Sequence, residues 1–372
     1  MKKINSITIT TGIYPPDIGG PASFVPIFAD RLVRQGIKVE VVTLSDKRED
    51  DSALPYKVRR ISRKIPKLFR DIFVIKEILK ATKNSDLIFS NTLAFESAIA
   101  SKISGKKLIQ KIVGDLAWER ANVSGRFKED INKYQKANLC LKSKLTNWYR
   151  NFAINASDMI ITPSYYLKDI VNGWNYPKEK IKVIYNAVEF EESDKTIKKD
   201  KFRIVSVARL IPHKGIEEIL RTLTQLDFVF EYIIIGDGPL KNELQEISNN
   251  LKLDTRFIGN ISKKEVANWL SSSDLFILNS SYEGLPHIVL ESMENNCPVI
   301  ASCVGGTPEV VNDGENGLLF EHNNTEELLS KINLIKDNDQ LRDILIQNGK
   351  VFTKEFSDVD KMVDKYIKII EV

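Results

Sequence analysis

NSSYEGLPHIVLESMENNCPVIASCVGGTPEVVNDGENGLLF, residues 279–320, is the stretch on which the reading of this 372-residue chain turns. Two glutamates within it, Glu283 and Glu291, are separated by seven residues. Gly284, Leu285 and Pro286 carry the chain from an apolar strand, LFILN, into a helix, and Pro286 suits a first helical turn. Glu283 then falls in the loop at the strand's carboxyl end, with Glu291 about one and a half turns into the helix. Open parallel sheets bind ligands at those carboxyl ends. The helix start adds unpaired N–H groups and the positive end of its dipole, which suit a phosphate. Two carboxylates beside an anion site make sense if they accept hydrogen bonds from hydroxyls, as on a sugar and a ribose. Asn296, tolerant of the left-handed conformation, ends the helix before Pro298. A glutamate pair alone could equally be a surface feature; the Gly/Pro framework around it favours function.

A second segment, VARLIPHKGIEEIL (residues 207–220), places Arg209 and Lys214 in a loop between a strand and a helix. Two cations at a strand's carboxyl end suit a diphosphate, whose charge needs more than one positive group to disperse it. Near the start, GIYPPDIGGPASF (residues 12–24) contains Gly19 and Gly20, which let backbone approach a ligand closely. A tight turn explains them equally well. It is not a G-x-G-x-x-G fingerprint, and no P-loop is present. IIGDGPL, residues 234–240, lacks the third glycine of that fingerprint and reads as a strand-to-helix turn.

Short apolar runs alternate with helical patterns in both halves, the signature of parallel α/β domains. Strands are predicted at ITIT, IKVEVVT, DLIFS, KLIQKIV, DMIITP and IKVIYN, then at FRIVSVA, FEYIIIG, TRFIG, LFILN and PVIAS. Val25, Phe28 and Leu32 share one face of the first helix, which Gly36 ends. A polar stretch from Glu189 to Lys201 separates the halves, and the natural boundary lies near Asn186. Length agrees, being too great for one ordinary core.

The net charge of +4 conceals a division. Residues 1–185 carry 33 Lys and Arg against 18 Asp and Glu, a net +15, and the remainder carries −11. A basic half can face an anionic membrane, a phosphate-bearing acceptor or nucleic acid, although no nucleic-acid motif supports the last. Residues 57–83 hold ten cations and two acids. There Leu68, Ile72, Ile75 and Leu79 line one helical face, as in an interfacial helix or one packed on its own sheet. Three cysteines without a C-x-x-C pair argue against a disulfide framework or structural zinc. The start alternates apolar residues with Thr and Ser and reads as a strand rather than a leader, and no run approaches a membrane span. The expected location is cytoplasmic, with peripheral attraction to the inner face of an anionic membrane.

On the residues quoted, with VIYNAVE (residues 183–189), the chain resembles the retaining glycosyltransferases of family 4 along nearly its whole length. That resemblance implies the α/β GT-B fold: two facing Rossmann-like domains with parallel sheets and a C-terminal crossover helix. Residues 1–186 with 355–372 would form the acceptor domain and 187–354 the nucleotide-sugar domain. Arg209 and Lys214 would clamp the donor diphosphate, and Glu291 would hold the ribose. Glu283 with Gly284, Leu285, Pro286 and His287 would contact the transferred sugar. Gly19 and Gly20 would lie near the diphosphate, and the base over Phe257, Ile258 and Gly259. The implied partners are a UDP- or GDP-sugar and a saccharide or lipid-linked acceptor, as in cell-surface polysaccharide synthesis, with no metal and no cofactor. A nucleotide-sugar epimerase, a phosphorylase or a non-catalytic binding protein are the competing readings. One departure stands out. Many members place His before Asp on the acceptor side, where this chain reads Val113-Gly114-Asp115, and no histidine precedes His213. Asp115 is left as an orienting residue or a structural one, and His213 and His322 as ordinary loop residues.

Overall fold

The structure is a computed structural model and describes residues 3–17, 19–46, 49–127 and 129–371, the side chain of Leu68 excepted. The chain divides into two compact units, Met1–Asn186 with Asp360–Val372, and Ala187–Val359.

The first unit is built on β1 (Ser6–Thr11), β2 (Lys38–Leu44), β3 (Lys57–Ile61), β4 (Leu87–Ser90), β5 (Lys107–Lys111), β6 (Met159–Thr162) and β7 (Ile181–Val183). They form one sheet, ordered β3-β2-β1-β4-β5-β6-β7, with every neighbouring pair parallel. The direction of winding reverses between β1 and β4, the switch point where such sheets open a crevice. The alternating threonines of β1 do not face water. Thr8 and Thr10 are buried and share hydrogen bonds with the hydroxyls of Ser85 (2.7 Å) and Ser97 (2.8 Å), so the strand is covered on both faces.

Val25, Phe28 and Leu32 of helix Gly20–Arg34 are fully buried. Phe28 meets Phe89 of β4 and Tyr366 of the terminal helix Val359–Ile370 at ring-centroid distances of 4.9 and 5.0 Å.

Two features of the basic stretch differ from the sequence reading. KVRRI is a strand, β3, at the sheet edge, and its charge concealed it. Arg59 is held there by Glu40 of β2 and Glu77 of the following helix, and charged edges resist unwanted pairing. The helix itself, Lys67–Thr82, buries Val74, Ile78 and Ala81. Of the face expected to be apolar, Ile75 and Leu79 are half-buried and Ile72 is exposed, while Leu68 lies outside the described side chains. The apolar content is wide enough for two stripes, and the sheet takes the one centred on Val74 and Ile78.

The second unit repeats the plan with β8 (Phe202–Val207), β9 (Phe230–Ile235), β10 (Thr255–Gly259), β11 (Leu275–Leu278), β12 (Val299–Ser302) and β13 (Leu318–Phe320). Their order is β10-β9-β8-β11-β12-β13, all parallel, with the switch point between β8 and β11. β13, three residues long, was too short for its pattern to register in the sequence. Among the described residues no helix is long and apolar enough to cross a membrane.

Candidate active site

The switch point of the second unit is where its loops converge. The segment after β8 carries Arg209, Leu210, His213 and Lys214 and ends in Gly215; the segment after β11 carries Asn279, Ser280 and Glu283. These two loops are stitched together by one backbone and one side-chain hydrogen bond. Ser281 N–H donates to the His213 carbonyl at 2.8 Å, and the Asn279 amide donates to the Gly215 carbonyl at 3.2 Å. Gly215 is left-handed (φ 60°), and a Cβ there would stand 2.2 Å from the Asn279 carbonyl oxygen, so only glycine permits the approach.

A third segment braces the second. Gly306 N–H donates to the Glu283 carbonyl at 2.8 Å. Added Cβ atoms at Gly305 and Gly306 would each lie 2.2 Å from a backbone oxygen, of Glu283 and Gly284 respectively. The pair after β12 therefore seats the E-G-L-P turn from behind. The Gly236–Gly238 turn does the same for the first loop: Leu210 N–H donates to the Asp237 carbonyl at 3.0 Å, and Leu210 is buried. The sequence identified that turn but held no sign that it supports the Arg209 loop.

On this frame Lys214 Nζ donates to Glu283 Oε1 at 2.5 Å, and Ser280 Oγ donates to the same oxygen at 2.6 Å. Lysine has three donors, so the contact orients the ammonium and leaves further N–H bonds for an anion. Arg209 is exposed, and among the described residues it makes no ion pair. One cation is thus held in place and the other is available. His287 opens helix His287–Glu294, behind Pro286, and no side chain caps that helix start.

Glu291 sits apart from the pair, half-buried on the same helix. With Lys263, Ala267, Leu270, Glu189 and Asn295 it lines a small cavity. Burial raises its carboxyl above the usual range, with Lys263 pulling the other way. Ile258 occupies a bulge: Phe257 pairs with Ile234 and Gly259 with Ile235, so Ile258 is the extra residue. Bulges re-aim side chains next to sites.

His213, read as an ordinary loop residue, stands beside the Lys214–Glu283 pair. Burial, reinforced by the Lys214 cation and opposed by Glu283, lowers its imidazole from 6.5 to about 4. The ring is therefore expected to stay neutral between about pH 5 and 8, which NMR titration of the three histidines checks directly. The unfolded chain takes up this proton near pH 6.5 and the folded chain near 4, so the associated stability is present above 6.5 and is lost as pH falls towards 4. His213→Gln should flatten that acid-side decline.

In the first unit, Gly19 precedes helix Gly20–Arg34, which also lacks a side-chain cap and has no acid in its first turn. An ideal Cβ on Gly20 would meet nothing within 4 Å, so space rather than packing surrounds it. From sequence, Asp115 is an orienting residue or a structural one. It is fully buried and caps helix Leu116–Val123 through Ala117 N (2.9 Å), while its other oxygen takes Arg150 Nη1 (2.6 Å) and Gln135 Nε2 (2.9 Å). Both oxygens are engaged within the unit, and of the two roles left open the structural one fits. Among the described residues no group of three or more His, Cys, Asp or Glu is placed to hold a metal ion.

Two family models tile the chain: Glycosyltransferase Family 4 matches residues 18–192 and Glycosyl transferases group 1 matches residues 188–352. An uncharacterized glycosyltransferase of Methanocaldococcus jannaschii is 29% identical over 360 residues, covering 93% of this chain and 92% of its own. The N-acetylgalactosamine-N,N'-diacetylbacillosaminyl-diphospho-undecaprenol 4-alpha-N-acetylgalactosaminyltransferase of Campylobacter jejuni is 27% identical over 199 residues, 52% of this chain and 54% of its own. Among solved structures, HepE of Anabaena in complex with UDP and glucose matches with a TM-score of 0.81 at 20% identity, over 98% of this chain and 99% of that one. Two consecutive family models and two doubly wound parallel sheets agree: the chain belongs to the family 4, group 1 glycosyltransferases and has their α/β GT-B fold.

Proposed function

We propose that this glycosyltransferase moves a sugar, with retention of anomeric configuration and without a metal ion, from a UDP- or GDP-sugar to a saccharide or lipid-linked acceptor in cell-surface glycan synthesis. The observation that carries the reading is that the loop after β8 holds an available cation, Arg209, and an oriented one, Lys214, the latter fixed by Glu283 from the loop after β11. Two similar proteins support it by what they bind or make: HepE is in complex with UDP and glucose, and the Campylobacter enzyme is named for an undecaprenol-linked acceptor.

Arg209 and Lys214 receive the diphosphate and disperse the charge that grows as it leaves, the usual largest contribution to catalysis in such a site. Glu283, with the 284–287 backbone, accepts and donates hydrogen bonds around the transferred sugar. Glu291 takes the ribose hydroxyls, and Ile258 supplies an apolar platform for the base. Gly19 and Gly20 provide the anion-binding helix start of the first unit. The bond from the anomeric carbon to the phosphate oxygen breaks as the acceptor oxygen bonds to the same face of that carbon. The departing phosphate oxygen takes the acceptor's proton. That route needs no protein base, in keeping with the absence of histidine before residue 213.

A thermal-shift panel of nucleotides and nucleotide sugars tests the donor class. The correct ligand at 100 times its Kd should stabilise by about 2.7 kcal/mol. Transfer should survive EDTA; activity lost with chelator and restored by manganese would reject the metal-free scheme, and no response to any uridine or guanosine diphosphate would reject the donor.

A further inference from the structure

Three helices of the first unit, Lys67–Thr82, Ala94–Ser104 and Leu141–Asn155, lie side by side on one face of the sheet. Their inward residues share one apolar cluster: Val74, Ile78 and Ala81 from the first, Ala98 and Ala100 from the second, Ala153 from the third. Their outward sides therefore form a common surface, and it is not the polar surface such helices usually show. Phe69, Ile72 and Phe73 project from the first, Ile103 from the second, and Leu141, Leu145, Trp148 and Tyr149 from the third, each between 41% and 85% exposed.

The third helix is the most unusual. Leu141, Leu145, Trp148 and Tyr149 recur at intervals of four, three and one, a single stripe along its length. LKSKLTNWYRNFAIN contains no acid. Trp148 and Phe152 stack at 5.8 Å, Tyr149 meets Phe95 at 4.7 Å, and Lys102 Nζ lies 4.8 Å from the Phe152 ring. Lys102, Lys144, Trp148 and Phe152 line an open depression. Lys67, Lys76, Lys142 and Lys144 are exposed around the apolar residues.

We propose that this face is the seat of an anionic lipid bilayer, with Leu145, Trp148 and Tyr149 entering the headgroup boundary and the lysines meeting lipid phosphates. An apolar stripe flanked by lysine is the composition of interfacial helices, and Trp and Tyr favour that depth because one end is apolar and the other polar. Charge selects the occupant. A second copy of this chain would set lysines against lysines, and the cores of protein interfaces are depleted in Lys. The face belongs to the first unit and Arg209, Lys214 and Glu283 to the second, so the two assignments are tested on different residues and fail separately.

The chain carries its own reporter. It has four tryptophans, of which Trp118, Trp174 and Trp269 are each at most 8% exposed, against 56% for Trp148. The full-length protein should sediment with phosphatidylglycerol/phosphatidylcholine vesicles at low salt, not with phosphatidylcholine alone, and less as salt rises. Brominated acyl chains should quench its fluorescence. Trp148→Phe should keep binding while losing that quenching, and Leu145→Ser with Trp148→Ser should lose binding. Lys142→Glu with Lys144→Glu should weaken partitioning at least ~10-fold, since each cation contributes roughly fivefold near such a surface. Unchanged thermal unfolding and an unchanged nucleotide response would show these variants to be folded. No sedimentation, sedimentation without quenching, or binding indifferent to the variants would overturn the proposal. So would concentration-dependent self-association abolished by Trp148→Ser, which would make the face a contact between copies.

Discussion

Arg209→Ala and Lys214→Ala are each expected to lower turnover at least ~100-fold, the scale of losing one donor aimed at developing charge. The two should differ in everything else. Arg209 is exposed and unpaired among the described residues, so its removal should leave the melting temperature unchanged and act on donor binding and turnover. Lys214 is part of a largely buried pair, its side chain 18% exposed and that of Glu283 12%. Truncating it strands a carboxylate that keeps only Ser280, so a loss of stability should accompany the loss of turnover. Glu283→Gln in the Lys214→Ala background should return part of the stability and none of the rate. Steady-state kinetics with thermal denaturation of the four proteins decides it: near-normal turnover in both single variants would remove the diphosphate clamp.

Asp115→Ala should produce the largest stability change, about 3–5 kcal/mol, because it leaves Arg150 buried without its counter-charge. For a unit of this size that is a fall in Tm on the order of 10 °C. Arg150 has little alternative, being 13% exposed and lying 4.0 Å from the Trp174 ring, whose indole N–H is itself bonded to Gln135. Arg150→Met added to Asp115→Ala should recover a good part of the loss, as coupled neighbours do. If instead Asp115→Asn were to unfold normally and transfer poorly, Asp115 would belong to the chemistry.

The contrast between these two sites shows what a sequence discloses. The placement of Arg209, Lys214 and Glu283 was legible because each lies in the loop that follows an apolar strand, and a parallel sheet gathers such loops at one edge. Val25, Phe28 and Leu32 were legible because a helical period needs no knowledge of the partner. The Asp115–Arg150 contact was not, because the partners stand thirty-five residues apart and nothing local announces it. β3 was hidden for a related reason: its arginines look like solvated surface until Glu40 and Glu77 are seen beside Arg59, and Asp51 beside Arg60. The helix Lys67–Thr82 presented two apolar stripes, and only the sheet beneath could choose between them. The lowered pKa of His213 could not be read locally, because its environment comes from loops joined through space.

The glycines behind the donor loops bear on how such an enzyme could change its substrate. Gly215, Gly305 and Gly306 press directly on backbone oxygens, so variation at those places is closed to drift and engineering alike. Diversification is left to neighbouring positions that are not fully buried, chiefly Ile258, Leu285 and His287. On the proposed donor site, a combinatorial library confined to those three codons would explore new donors without disturbing the glycine-packed frame.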